Sequence, residues 1–247
     1  MNNSEHFQLD WGTHAILKLL ADYAFESVLD IGSGLGEHKR LFEYFGKKPV
    51  SVDIVQSADY CGNFLDIDIE KKFDAIWCSH ALEHQRNVGL FLDKIYDSLT
   101  EDGVLAIVVP IHPGERLISG HLTSWSIPLL CYNLIMAGFD CRQAAIMSSY
   151  ELSLVVKKTP ANHNERRAPS AHGADAGHEF DNIKQFFPFE VSQGVTLSVE
   201  GLGLLNWKNP VEYHFKLPQE KIGFISIDSK NFKNSPTLKP NLISHFD

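Results

Sequence analysis

Among the residues able to do chemistry, those of VLDIGSGLGEH, Val28–His38, stand closest together: Asp30 closes a short apolar run, and Gly32, Gly34 and Gly36 follow at alternate positions. Glycine-rich turns after a strand commonly hold phosphates through backbone N–H groups that no side chain obstructs. Here the spacing is G-x-G-x-G, and Glu37 stands where a dinucleotide-binding turn carries its third glycine. A carboxylate in that first helical turn would lie close to a pyrophosphate. No Gly-Lys-Ser/Thr follows, which excludes a P-loop. Asp30 adds a negative charge to the crevice, and that suits an ammonium group better than a phosphate. Asp53 lies 23 residues further on, in the strand-like run PVSVDIV. There a carboxylate can accept both hydroxyls of a ribose. The ligand so defined has a ribose, a cationic end and no pyrophosphate. S-adenosylmethionine answers that description.

A second group of candidates would act on whatever receives from that ligand. The stretch PIHPGERLISGHLTSW, residues 110–125, is long and polar and carries His112, Glu115, Arg116, His121, Thr123 and Trp125. Neutral histidine is the side chain best matched to taking a proton from an alcohol near neutral pH. His112, His121 and His80, which follows the strand-like FDAIWCS, are therefore the candidate general bases. His121 is favoured because it precedes a helix start at Thr123–Ser126 that can hold it, whereas His112 lies between Ile111 and Pro113 in a looser stretch. His80 is expected to line the cofactor pocket as well. His112, Glu115 and His121 match no established metal spacing, and no metal is expected. Glu83 and His84 in ALEH read as structural, capping the following helix and tying its loop.

These residues need a scaffold, and the elements can be read from periodicity. Residues 13–24 are apolar at helical spacing, and so is GLGEHKRLFEYFG, with Leu35, Leu41, Phe42 and Phe45 on one face and Gly46 as its stop. Ser27–Ile31 and PVSVDIV read as strands, FDAIWCS and VLAIVVP as strands covered on both faces, with a weaker strand at Asn63–Leu65. RNVGLFLDKIYDSL is a helix closed by the turn TEDG, and Ser126–Ala137 is another, stopped by Gly138. CRQAAIMSSYELSLVVKK holds two strands with no room for a helix between them, hence an antiparallel hairpin. Strands alternating with helices imply a doubly wound α/β fold with a parallel sheet and one antiparallel strand. Residues 1–158 form that domain. Residues 159–179, poor in apolar side chains and rich in Pro, Ala, Gly and His, read as a flexible linker. Residues 180–247 read as a small β-rich appendage with a poorly ordered tail, suited to a lid or to a contact in a homodimer.

Whole-chain quantities bound the partners. The 247 residues carry 22 Lys and Arg against 31 Asp and Glu, a net charge of −9, which argues against a phosphate-driven grip on nucleic acid. No run is apolar and long enough to span a membrane, and MNNSEHFQLDWG lacks the features of a signal peptide. The four cysteines have neither metal nor redox spacing and read as reduced thiols in a cytoplasmic protein.

VLDIGSGLGEH, VSVDIV, GNFLDID, FDAIWCSHALEH and LTEDGVLAIVVP, in this order and spacing, resemble the successive motifs of class I S-adenosylmethionine-dependent methyltransferases over about residues 25–158. The resemblance implies a Rossmann-like, seven-stranded sheet whose last strand is antiparallel. It implies that Asp30, Gly32, Ser33, Gly34 and Gly36 surround the methionine part of S-adenosyl-L-methionine. Asp53 then takes the ribose hydroxyls, Ile54 packs on the adenine, Asn63 stands beside the adenine amino group, and Phe64 offers it a backbone N–H. Ser79 and His80 fall beneath the sulfonium. GHLTSWSIPLLCYNLIMAGFDCR is similar to methyltransferases of bacterial surface-polysaccharide biosynthesis. That implies a hydroxyl on a sugar, sugar nucleotide or other glycan precursor as the acceptor, with S-adenosyl-L-homocysteine as co-product. An N- or C-methyltransferase of another small molecule, and a non-catalytic cofactor-binding scaffold, remain the alternatives.

Overall fold

The computed structural model describes residues 5–111, 117–161, 166–167, 182–189, 191 and 223–227. In chain order its elements are β1 (Glu5–Leu9), α1 (Thr13–Asp22), β2 (Ser27–Ile31), α2 (Glu37–Tyr44), β3 (Lys48–Asp53), β4 (Tyr60–Cys61) and β5 (Phe73–Ser79). These are followed by α3 (Val88–Ser98), β6 (Leu99–Pro110), α4 (Ile127–Met136), β7 (Ala145–Ser148), β8 (Glu151–Lys157) and β9 (Gly223–Ile227). Seven strands form one sheet in the order β4-β3-β2-β5-β6-β8-β7. From β4 to β6 every pairing is parallel, and β8 runs antiparallel to both β6 and β7. The seven-stranded sheet and its single reversed strand are therefore as expected. Strand order reverses between β2 and β5, and a crevice beyond the carboxyl ends of those two strands is where such sheets bind ligands.

Alternation along the central strands divides the core. Leu29, Ile31, Ile76, Cys78, Leu105 and Ile107 pack with α3 and α4. Val28, Ala75, Trp77, Val104, Ala106 and Val108 pack with α1 and α2 on the other face. Each central strand is thus apolar on both sides, as a doubly covered parallel sheet requires. Helix ends follow local chemistry. The Ser126 side chain accepts from the Leu129 amide to start α4, and Gly46 and Gly138 take φ of +71° and +113° after α2 and α4.

Four expectations need correction. Asn63–Leu65 is not a strand: the Asn63 side chain accepts from the Leu65 amide and starts a 3₁₀ turn at Phe64–Asp66, while the edge strand is Tyr60–Cys61. Leu35 does not share the buried face of α2; it sits in the glycine turn and is 87% exposed. TEDG does not separate α3 from its strand. It lies inside β6, where pairing with β5 jumps from Phe73↔Leu99 to Ala75↔Val104. Finally, residues 182–189 do not stand wholly apart, since Ile183, Phe186 and Phe187 join the α3/α4 core. Buried Arg166 ties the same region down by donating to the Gly138 and Thr159 carbonyls at 3.0 and 2.7 Å. Most of the expected linker and appendage lies outside the described residues. Within it, Gly223–Ile227 pairs in parallel with β1, an N-terminal strand that periodicity did not suggest.

Cys61, Cys78, Cys131 and Cys141 are all free thiols, and only Cys61 is exposed. Among the described residues no helix is long and apolar enough to cross a membrane.

Candidate active site

The turn between β2 and α2 is built from glycines because its backbone is left-handed at three places: φ is +78° at Gly32, +52° at Gly34 and +81° at Gly36. Gly32 is constrained further, since a Cβ there would come within 2.8 Å of the Ala81 Cβ. The turn is stitched to the end of β3. Gly32 N–H donates to the Val52 carbonyl at 2.9 Å, and Gly34 N–H donates to Asp53 Oδ2 at 2.8 Å. Asp53 Oδ1 accepts from the Val55 amide at 3.1 Å, so the carboxylate is fixed in orientation with lone pairs left over.

Beside this turn lies a cavity of about 520 Å³, a volume suited to a drug-sized ligand. Gly32, Asp53, Ile54, Asn63, Phe64 and His80 line it. Ile54 is 78% exposed, an apolar side chain placed where a flat ring could cover it. Asn63 reaches the cavity while its Oδ1 is committed to the Leu65 amide at 3.2 Å, which leaves its NH₂ group to face a ligand. Of the other cofactor candidates, Asp30, Ser33, Gly34, Gly36 and Ser79 are not part of the lining. Ser79 is turned away: its hydroxyl lies on the α1/α2 face, 3.0 Å from where a Cβ of Gly12 would be. Asp30 lies directly under the turn, 1% exposed, with neither oxygen hydrogen-bonded. Burial first, and the nearby Asp53 charge second, push its pKa up to about 7.

His80 closes the strand-end side of the cavity, and among the described residues it is the only non-glycine with positive φ, +52°. Its Nε2 meets Glu151 Oε2 at 2.9 Å and its Nδ1 lies 3.4 Å from Glu83 Oε1. Burial opposes charge on the ring, but the bonds and charges of the two glutamates outweigh it and carry the pKa up to about 9. The expectation of His80 as a general base is therefore corrected: at neutral pH the ring already holds its proton. It remains a lining residue. The Trp11 ring lies against it at a tilt of 42°, the ring centroids being 4.7 Å apart, and the Trp11 carbonyl meets His38 Nε2 at 3.0 Å.

His112, with Glu115 and Arg116, lies outside the described residues. His121 is half-buried, and its ring meets that of His84 edge-on with centroids 4.9 Å apart. His84 itself lines the cavity. Glu83 does not cap α3, which starts after Asn87 with no side-chain cap. Its carboxylate is fully buried, and its backbone carbonyl accepts from the Leu122 and Thr123 amides at 2.8 and 3.2 Å. Sequence reasoning missed Trp11, Gly12 and Glu151 altogether. Glu151 is fully buried and accepts from Gly12 N–H at 3.0 and 3.1 Å. A lone glutamate opening the apolar run ELSLVV is the signal that could have found it, because carboxylates are seldom fully buried without a partner.

Solved structures share this fold. The Burkholderia thailandensis 1,6-didemethyltoxoflavin-N1-methyltransferase, solved with 1,6-didemethyltoxoflavin and S-adenosylhomocysteine, is 24% identical with a TM-score of 0.51, over 59% of this chain and 77% of that one. At that identity the likeness shows a common fold. Human N-acetylserotonin methyltransferase in complex with SAM matches at 16% identity and TM-score 0.46, over 60% of this chain and 52% of its own. A SAM-dependent methyltransferase from Archaeoglobus fulgidus matches at 18% identity and TM-score 0.46, over 59% and 90%. No curated protein sequence matches the chain. A family model for a methyltransferase domain matches residues 7–135, which is 129 of the 247 residues, and by that match the chain belongs to the methyltransferase domain family.

Proposed function

We propose that this chain is an S-adenosyl-L-methionine-dependent methyltransferase acting on a hydroxyl of a small polar acceptor, a sugar or sugar nucleotide, with S-adenosyl-L-homocysteine as the second product. The observation that carries the reading is the pair of carboxylates set by the glycine turn: Asp53, held by the Gly34 amide at the cavity edge, and Asp30, buried without a partner beneath it. A dinucleotide or phosphate would meet both negative charges at once. A ligand with ribose hydroxyls at one place and an ammonium at another satisfies both.

When bound, the cofactor supplies an electrophilic methyl group on a sulfonium. The chain's own residues then have these roles. Asp53 accepts the ribose hydroxyls, Ile54 covers one face of the adenine, and the Asn63 NH₂ stays available to the adenine edge. Gly32 leaves the close approach that a side chain would block. Asp30 compensates the ammonium. His80, charged and clamped, shapes the wall and moves no proton. The acceptor end is polar, with His84 and Gln85 in the lining and His121 behind them, and that composition favours an oxygen acceptor. Transfer to oxygen is an in-line displacement in which positioning supplies most of the rate, so fixed walls matter more than a strong base.

The test is a screen of sugar nucleotides and other small polyols with methyl-labelled S-adenosylmethionine, alongside calorimetric binding of S-adenosylhomocysteine. Label in an O-methyl product is expected. Label only in amines or at carbon would move the acceptor class. Tight binding without turnover on any acceptor would favour a scaffold, and no binding at all would overturn the reading.

A further inference from the structure

Glu83, His84 and His121 bring one carboxylate oxygen and two imidazole nitrogens within 4.8 Å of one another, beside the cavity that His84 lines. We propose that they form a binding site for a divalent first-row transition ion, with open coordination positions facing the acceptor. The proposal deepens the methyltransferase reading and rests on it for its role, though not for its existence.

Three observations support it. First, Glu83 is fully buried and neither of its oxygens accepts a hydrogen bond. Its nearest partners are at long range, Oε1 lying 3.4 Å from His80 Nδ1, a contact that helps to raise the His80 pKa, and 3.8 Å from His84 Nε2. A fully buried carboxylate normally has a donor or a cation to itself. His80 does not fill that role, because it is bonded at 2.9 Å to the equally buried Glu151. Two glutamates around one imidazole leave negative charge to spare even when that ring is charged.

Second, His84 is prepared as a ligand. Its Nδ1 meets the Gly120 carbonyl at 2.8 Å and must be the donor there, so Nε2, turned towards Glu83, is the nitrogen placed to bind an ion. A ring N–H given to a backbone carbonyl is the usual second contact of a metal-bound histidine. The Gly120 backbone, with φ of +84°, aims that carbonyl, and the next residue in the chain is His121.

Third, the two segments that carry the ligands are tied together. Leu122 and Thr123 both donate to the Glu83 carbonyl, so the loop around residue 121 is fixed to the turn around residue 83 before any ion arrives. A tetrahedral ion at zinc-like bond lengths would set its ligands about 3.4 Å apart, and Glu83 and His84 already stand at 3.8 Å. Two imidazoles and one carboxylate with further positions free suit Zn²⁺, Mn²⁺, Fe²⁺ or Co²⁺ better than Mg²⁺ or Ca²⁺. Such an ion would take the acceptor hydroxyl oxygen as an added ligand and weaken its O–H bond, the proton leaving to water. His121 would then act as a ligand and not as a free base. Spacing hid this site because the third ligand comes from a separate loop.

The experiment uses the untagged 247-residue chain, stripped with chelator and titrated with Mn²⁺ and Zn²⁺ by equilibrium dialysis with elemental analysis. One equivalent should bind to the wild type. His84→Ala and His121→Ala should each weaken uptake by more than about tenfold. Cys61→Ser removes the one exposed thiol and should change nothing. Either histidine variant suffices if the other fails to fold. Failure of the wild type to take up either ion at about 1 mM, or equal uptake by both histidine variants, overturns the proposal. Calorimetry with S-adenosylhomocysteine on the same samples separates the two readings. Cofactor binding without metal uptake leaves the methyltransferase assignment standing alone. Metal uptake without cofactor binding leaves the ion site and removes its role.

Discussion

Asp30 at the end of β2 and Glu151 at the start of β8 are both shut away from solvent, and the fold treats them in opposite ways. Glu151 receives the Gly12 amide on both oxygens and His80 at 2.9 Å. Asp30 receives nothing. A buried carboxylate met by the protein's own donors is part of the architecture, here tying β8, the strand-end turn and the N-terminal segment together. A buried carboxylate left bare destabilises the fold until a ligand compensates it, and so marks where the ligand goes.

The sharpest way to break the architectural half is Glu151→Gln. It leaves the His80 charge and the Gly12 amide poorly met, and should cost about 3–5 kcal/mol in urea unfolding at pH 7. The pH dependence has a definite sign. The His80 pKa is raised from 6.5 to about 9, so the stability it contributes is full below pH 6.5 and is lost as pH rises through about 9. That slope should flatten in the variant. A cost below about 0.5 kcal/mol would mean that the contacts are incidental.

The other half predicts a gain. Asp30→Asn should stabilise the ligand-free chain, because the wild-type carboxyl, with its pKa raised from 3.8 to about 7, loses folded-state stability as pH rises through that window. The gain is up to about 4 kcal/mol above pH 7 and vanishes below about pH 4. The same variant should lose S-adenosylhomocysteine affinity. In the wild type, affinity should fall about tenfold between pH 8 and pH 6, as the free carboxyl takes up a proton. Thermal melts with and without ligand at the two pH values check both. Asp30→Asn with unchanged stability and unchanged affinity would place Asp30 outside the ligand's reach.

Asp53→Ala sharpens the comparison from the exposed side, where the carboxylate is only partly buried and already oriented by two amides. It should cost about 1–3 kcal/mol of S-adenosylhomocysteine affinity and little stability, read by calorimetry and by melting. A larger loss of stability than of affinity would make Asp53 a structural clamp on the glycine turn.

What was legible in the sequence follows from how local each cause is. The glycine turn, Asp30 and Asp53 sit within two strand–helix steps, so spacing carries their meaning. The alternation of apolar strands with amphipathic helices carries the sheet. The protonation of His80 could not be read, because it depends on Glu151, 71 residues away. The Gly12–Glu151 bond spans 139 residues, beyond the reach of any motif. Asn63 was misread as strand for a local reason: its side chain bonds two residues ahead and turns the chain. Glu83 and His84 were visible as residues. Their proximity to His121 depends on a loop folding back over a 3₁₀ turn, which periodicity does not encode.

The parallel pairing of β1 with β9 bears on the order in which the molecule comes together. Each paired residue, from Glu5↔Gly223 to Leu9↔Ile227, meets a partner 218 positions later, whereas β2 and β3 pair across only 21. By loop-closure entropy the longer connection costs about 2 kcal/mol more to close, so it belongs among the last contacts to form. On the ribosome the central sheet can assemble while residues 223–227 are still being synthesised. The segment leading into Trp11 and Gly12 then waits for that late strand. The aromatic wall over His80 is thus the newest part of the site each time a chain is made, and the first expected to come loose when one begins to unfold.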